Sequence, residues 1–268
     1  METWTVMVTG ASSGLGEAFA RALAPRVRQL VLVARREDRL VLLRSELVAA
    51  HANLDEVRVC RVDLAVAAER DRLVAAEAAD VDLLVNNAGL GDYGDFAGSA
   101  WERTQAMLDV NMVALTHLAH AALLGMRARR RGAILNISSL AGEVFMPDFA
   151  VYAATKAYVT RFSEGLRLEV RGEGVTVVAV CPGPVETEFG MVARRSGQKK
   201  NDLPLYRLLH ARPEQVVEEA LTAMAAGRAR VFPSWRVRWL AAGIRWLPDW
   251  LLRRVLGRRM RRSTESVG

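Results

Sequence analysis

Residues 4–23, WTVMVTGASSGLGEAFARAL, decide the fold. Trp4 to Thr9 form an apolar run of the length expected for a buried strand. Gly10-Ala-Ser-Ser-Gly14-Leu-Gly16 follows, and a helical stretch runs on from about Glu17 to Leu23. Strand, glycine turn and helix in that order are the context a nucleotide-binding loop requires. The glycines let the backbone turn tightly and let a pyrophosphate approach it, and the helix amino terminus offers unpaired N–H groups and a positive dipole end. A glycine-rich strand-to-helix turn without any ligand has the same pattern, so the rest of the chain must choose.

The run Gln29–Ala34 reads as a second strand and ends in Arg35-Arg36. A dinucleotide-binding fold meets the adenosine ribose at this point: an acid there accepts from the 2′-hydroxyl of NAD, a cation suits the 2′-phosphate of NADP. Ala34 stands where the acid is expected and Arg35 follows it, which points to NADP(H); the alternative is that both arginines merely begin a solvated helix, which is enough by itself to explain Arg36. Alternation continues with a helix over 37–50, a strand over 57–62, a helix over 67–78 and the strand Val81–Val85, ending in Asn86-Asn87-Ala88-Gly89. Asp63, after the third strand, is placed to accept from an adenine amino group. Repeated units of this length predict an α/β fold, a doubly wound parallel sheet of Rossmann type with helices on both faces. Crossovers of one hand bring these strand ends to one edge.

A long helix is expected over 100–130, with Asn111 inside its apolar pattern. A buried amide there needs partners. The Arg127–Arg131 cluster closes that helix, where cations suit the dipole. Next comes Gly132–Tyr158, GAILNISSLAGEVFMPDFAVYAATKAY: a strand ending in a Ser-Ser pair, a loop, and a helix carrying Tyr152 and Lys156. Residues four apart share a helix face, so phenol and ammonium can share a pocket. That helix runs to about Arg171, and a strand over 175–180 leads into Cys181-Pro182-Gly183-Pro184-Val185-Glu186-Thr187. Residues 184–212 read as a lid or substrate loop, 213–226 as a helix and 230–232 as a last strand.

Composition narrows the function classes. The 268 residues, half of them hydrophobic, supply a large core. Cys60 and Cys181 lie in apolar strand-like runs, as small buried hydrophobes of a reducing compartment. No Cys/His cluster has metal spacing, so no metal site is expected. The amino terminus reads as a strand running into a glycine turn, without the basic start or long apolar core of a signal peptide, and no membrane-spanning helix is expected, so a cytoplasmic protein is expected. From Arg228 onward there are eleven arginines against Asp249 and Glu265, more than the whole net charge of +7. The basic character therefore belongs to the tail, and no nucleic-acid motif accompanies it.

Residues 4 to about 232 resemble the short-chain dehydrogenase/reductase family in its single-domain form. The resemblance rests on Thr9-Gly10-x-x-x-Gly14-x-Gly16, Asn86-Asn87-Ala88-Gly89, Asn111, Ser139, Tyr152-x-x-x-Lys156 and Pro182-Gly183, in order and at matching spacing. It implies a catalytic tetrad of Asn111, Ser139, Tyr152 and Lys156, and selects Ser139 over Ser138. It implies that NADP(H) lies along Thr9, Gly10, Ser12, Ser13, Gly14, Leu15, Gly16, Arg35, Arg36, Asp63, Leu64, Asn87, Ala88, Gly89, Tyr152, Lys156, Pro182, Gly183, Val185 and Thr187. A homo-oligomer, dimer or tetramer, is expected on the same ground. The pattern NNAGLGDYGDF and the tail are also similar to bacterial ketoacyl and carbonyl reductases.

The implied chemistry is hydride transfer between the nicotinamide and a carbonyl or alcohol. Ser139 and Tyr152 would hydrogen-bond the oxygen as charge builds, and Tyr152 would hand over a proton. A free tyrosine titrates near ~10, and a Lys156 ammonium beside it favours the phenolate. The family assigns Asn111 a water linking Lys156 to solvent. The substrate is expected to be a lipophilic ketone or a 3-oxoacyl compound. A non-catalytic NADP(H)-binding scaffold or membrane-associated protein is the alternative, opposed by an intact Ser139, Tyr152 and Lys156.

Residues 1–232 thus read as the dinucleotide-binding domain and 233–268 as a helical extension. Trp235, Trp239, Trp246 and Trp250 are interleaved with arginines, and the first three fall near one helical face. Asp249 is placed to cap a second helix through about Arg262. Such an extension can lie in a membrane interface through 235–262, cover the substrate pocket, or pack on a second subunit.

Overall fold

A computed structural model of the chain describes residue 1 and residues 3–195, 209–248 and 250–254. Seven strands form one parallel sheet: β1 Thr5–Thr9, β2 Gln29–Ala34, β3 Glu56–Arg61, β4 Leu83–Asn86, β5 Gly132–Ile137, β6 Val175–Val180 and β7 Arg230–Val231. Their order is β3-β2-β1-β4-β5-β6-β7, so the winding reverses between β1 and β4. The crevice beyond the carboxyl ends of the strands at that reversal is where such sheets bind ligands.

The strands are apolar on both sides because both sides are covered. Val6, Val8, Leu30 and Leu32 face one layer with α1 Gly14–Leu23, α2 Glu37–Ala50 and α8 Pro213–Ala225. Their neighbours Met7, Val31 and Val33 face the other, with α3 Ala67–Glu77, α5 Leu115–Arg129 and α6 Ala150–Glu169. Alternation of side chains along a strand thus divides the core in two.

The helix expected over 100–130 runs from Trp101 to Arg129 but changes character midway. A π-helical turn, Asp109–Ala114, joins α4 Trp101–Leu108 to α5 and carries Asn111. By length and composition alone Trp101–Arg129 is apolar enough to cross a bilayer; here Leu118, Ala122 and Met126 pack into the core. Its arginine-rich end does more than complement a dipole. Arg129 and Arg131 pair with the buried carboxylate of Asp82 at 3.5 and 3.1 Å, tying the helix end to the start of β4. The fourth strand begins at Leu83, later than expected, because Val81 still donates to Ala78 at the end of the preceding turn.

Within the expected loop over 184–212 there is a short helix, α7 Phe189–Val192; residues 196–208 of that loop lie outside the described residues. The extension begins as α9 Trp235–Trp246, which docks through Val237 and Ala241. Its opposite face carries Trp235, Trp239 and Trp246, 64%, 73% and 88% exposed. Residues 250–254 are helical, while Asp249 and the stretch from 255 to Arg262 lie outside the described residues.

Candidate active site

Thr9, Ala34, Asn86, Ile137 and Val180 end their strands at one edge, and each predicted site residue is at or just past such an end or on a helix facing it. The glycine turn is shaped by close approach. A Cβ on Gly16 would meet the Gly10 carbonyl oxygen at 2.2 Å, and Gly10 itself has φ +67. Ser13 caps α1 without a side-chain hydrogen bond, which leaves the first turn of that helix without a side-chain acceptor at its cap. Leu15 packs on the core beneath.

Thr9 and Asn87 bind each other. The Thr9 hydroxyl accepts from the backbone N–H groups of Asn87 and Ala88, both at 3.0 Å, and the Asn87 amide donates to the Thr9 carbonyl at 2.9 Å. This staple fixes the glycine turn to the end of β4 on both sides of the crevice. Across the turn, Thr187 Cγ2 comes within 3.0 Å of the place a Gly14 Cβ would occupy, so the Pro182–Thr187 segment folds over it.

At the end of β2, Arg35 is exposed and lies 4.0 Å from Asp63. Asp63 also accepts from Ala65 N at 3.0 Å, forming the turn that buries Leu64. Arg36 is engaged differently: Nε donates to the Ser12 hydroxyl at 3.3 Å and Nη1 to Glu188 at 2.9 Å. Arg36 does begin a solvated helix, as the N-cap of α2, and in addition ties it to the glycine turn and to Glu188.

The four residues of the implied tetrad converge. Lys156 Nζ donates to the Ile137 carbonyl oxygen at 2.8 Å, two residues before Ser139. A Cβ on Gly89 would lie 3.4 Å from both Lys156 Nζ and Asn111 Oδ1. Tyr152, one turn earlier on α6, has its ring centroid 5.7 Å from that ammonium. Burial lowers the Lys156 pKa from 10.5 to about 8. Ser138 and Ser139 part ways. Ser138 is buried, with its hydroxyl 2.7 Å from both the Lys156 carbonyl and Thr160 Oγ1. Ser139 is only partly buried and accepts from Ala141 N at 3.1 Å.

Asn111 finds its partners in the protein. Oδ1 accepts from Leu90 N at 2.8 Å, and Nδ2 donates to the Leu90 carbonyl at 2.9 Å and to Thr155 Oγ1 at 3.0 Å. The reading of single residues missed the groups around the tetrad. Beneath it, Asn86 donates to Asn136 and Asn136 to Ser163, at 3.0 and 2.9 Å, a buried polar ladder across β4, β5 and α6. The signal was present: two asparagines in apolar strands, directly paired in register. Around Tyr152 stand Phe149, stacked at 4.2 Å, and Phe189, tilted at 5.5 Å, with Tyr93 edge-on to Phe149 at 5.6 Å.

Comparison with known proteins agrees with this geometry. The short chain dehydrogenase family pattern matches residues 4–198. The chain belongs to the short-chain dehydrogenase/reductase family. It is an oxidoreductase of CH–OH and C=O groups. It is 35% identical over 218 residues to the NADP-dependent 3-hydroxy acid dehydrogenase YdfG of Salmonella typhi, covering 80% of this chain and 86% of that one. Among solved structures, a short-chain dehydrogenase from Sphingobium yanoikuyae in complex with NADPH superimposes with a TM-score of 0.79 at 33% identity, over 89% of this chain and 91% of that one. The bulky-bulky ketone specific alcohol dehydrogenase from Comamonas testosteroni gives 0.76 at 29% identity, over 91% and 92%.

Proposed function

We propose that this short-chain dehydrogenase/reductase uses NADP(H) to reduce the carbonyl of a bulky lipophilic ketone or 3-oxoacyl-type substrate, with Tyr152 as the proton donor. The observation that carries the substrate class is the aromatic wall of Phe149, Phe189 and Tyr93 around that phenol. Such a wall rewards a broad apolar body with buried area and penalises a compact charged group left without a partner.

The residues present fit NADP(H). The glycine turn packs backbone against backbone at Gly10 and Gly16 as a tight nucleotide-binding turn does, α1 lacks a side-chain cap, and arginines rather than an acid follow β2. When bound, the cofactor supplies or takes the hydride. Ser139 and Tyr152 hold the substrate oxygen as negative charge gathers on it. Tyr152 gives that oxygen its proton in reduction and removes it in oxidation. Lys156, pinned to Ile137, keeps a cation beside the phenol, which favours the phenolate, and retains N–H donors for the nicotinamide ribose hydroxyls. Asn111, with its amide committed to Leu90 and Thr155, is a positioning residue that holds the π-helical turn against α6.

The outward tryptophan face of α9 is read as an interface, toward a lipid surface or a second subunit. Size-exclusion chromatography and partition onto anionic vesicles of a Trp235→Ala, Trp239→Ala, Trp246→Ala variant separate the two; no change in either measurement removes the interface.

The test of substrate class is a panel with NADPH oxidation followed optically: bulky aryl and steroid ketones, 3-oxoacyl thioesters, simple aldehydes and short anionic oxo acids. Faster turnover of the bulky and acyl ketones is expected. Preference for the short anions overturns the lipophilic reading and leaves the family assignment untouched.

A further inference from the structure

Three arginines stand at the end of β2 and in the first turn of α2, and their acidic neighbours come from elsewhere in the chain. Arg35 lies 4.0 Å from Asp63. Arg36 donates to one oxygen of Glu188 at 2.9 Å, and Arg39 lies 3.8 Å from the other. Arg36 also holds the glycine turn, through the Ser12 hydroxyl at 3.3 Å and the Ser12 carbonyl at 3.4 Å. Glu188 is 152 positions away in sequence, just before α7. Its carboxyl is held below its usual range by the hydrogen bond and charge of Arg36. One ionised carboxylate thus bridges two of the cations beside the expected adenosine ribose.

We propose that Glu188 is the internal counter-ion of the 2′-phosphate site, displaced from Arg36 and Arg39 when a 2′-phosphorylated nucleotide binds. The inference rests on the NADP(H) reading above, with these arginines as the phosphate readers. A phosphate offers three oxygens to the guanidinium forks and binds them more strongly than one carboxylate does. Two anions on the same cation pair repel, so the carboxylate leaves. The pair it gives up is solvent-exposed and therefore weak, which keeps the exchange reversible.

The exchange reaches the other end of the site. Glu188 is followed by Phe189, whose ring lies 5.5 Å from Tyr152. Releasing Glu188 frees the start of α7, and with it one side of the aromatic wall. A nucleotide without the 2′-phosphate leaves the bridge in place. Glu188 is therefore a specificity-determining residue that couples recognition of the adenosine end to the walls around the phenol.

The experiment is equilibrium binding of 2′,5′-ADP and 5′-AMP to the full chain, to Glu188→Gln and to Arg36→Gln by titration calorimetry. Removing an exposed competing charge is expected to tighten 2′,5′-ADP by about 2- to 5-fold, with 5′-AMP unchanged. Arg36→Gln should weaken 2′,5′-ADP selectively. Unchanged or weaker 2′,5′-ADP binding by Glu188→Gln, while Arg36→Gln still loses selectivity, overturns the counter-ion assignment alone. An Arg36→Gln protein with unaltered selectivity overturns the phosphate reading beneath it. Amide hydrogen exchange over 187–193 should quicken with 2′,5′-ADP and not with 5′-AMP; identical exchange with both ligands overturns the coupling to α7.

Discussion

The ammonium of Lys156 hydrogen-bonds the carbonyl oxygen of Ile137 at 2.8 Å, joining the second turn of α6 to the last residue of β5. The Ser138 hydroxyl returns the connection by reaching the Lys156 carbonyl at 2.7 Å. Strand end and helix are thus locked in register, and Ser139 and Tyr152 are carried on the two locked parts. The lock has a pH signature, because the ammonium within it is buried.

Lys156 titrates at about 8 in the folded protein against 10.5 for the free side chain. Between those values the unfolded chain keeps the proton that the folded chain has released, so stability rises with pH. From about pH 8 upward the cysteines oppose this, because burial raises Cys60 to about 11 and Cys181 to about 12 and the unfolded chain loses thiol protons first. Both cysteines are kept in Lys156→Met, so the difference between the two proteins isolates Lys156, most steeply over pH 8 to 9. There the cofactor-free protein should gain roughly 1 kcal/mol relative to Lys156→Met, measured by chemical denaturation. A flat difference between the two proteins contradicts a depressed Lys156.

The two serines should fail in different ways. Ser139→Ala removes a donor to the substrate oxygen and should lower kcat by about 10²-fold, with only the modest stability loss of a part-exposed cap to Ala141 N. Ser138→Ala breaks buried hydrogen bonds and should cost about 1–2 kcal/mol of stability. Urea denaturation alongside steady-state kinetics checks both, and the reverse pattern would reassign the serines.

Tyr152→Phe keeps the ring that stacks on Phe149 at 4.2 Å, so folding and NADPH binding should persist while turnover disappears. Appreciable residual turnover means that another group delivers the proton.

Arg35 is exposed and weakly paired, which suits it to an incoming phosphate. Arg35→Asp should move the kcat/KM ratio from NADPH toward NADH by at least about 10-fold, since a carboxylate there repels phosphate and accepts from a ribose hydroxyl. An unmoved ratio places the 2′-phosphate elsewhere.

Most of the sheet was legible in the sequence because strands covered on both faces read as unbroken apolar runs, and glycine or asparagine marked their ends. The expected spans of β2 and β6 match the structure, and the glycine turn is placed by backbone contacts that only glycine permits. What escaped was long-range. Nothing near Asn111 in sequence announces that its helix widens to a π-turn there, since its partners Leu90 and Thr155 are 21 and 44 residues away. Nothing in the sequence singles out Phe149 and Phe189, which only the fold brings beside Tyr152. Arg36 does start a solvated helix, but its contact with Glu188, 152 residues away, was out of view.

The last prediction concerns the junction between the extension and the site. Val237 of α9 is fully buried, and its Cγ2 lies 2.8 Å from where a Gly183 Cβ would be. Gly183 belongs to the segment that folds over the glycine turn, and its φ is not in the left-handed region, so space rather than backbone conformation demands glycine. Gly183→Ala should therefore overpack the junction and cost about 1–3 kcal/mol. Val237→Ala alone should cost about 1–2 kcal/mol through the void it leaves. Val237→Ala opens room beside the added methyl, so the double variant should be more stable than the two costs combined would make it, giving a favourable coupling of about 1 kcal/mol. The Leu209 carbonyl, 3.3 Å from the same point, limits how complete the rescue is. Denaturation of the four proteins in a double-mutant cycle reads the coupling directly. Strict additivity would mean that α9 does not press on the Pro182–Thr187 segment in solution.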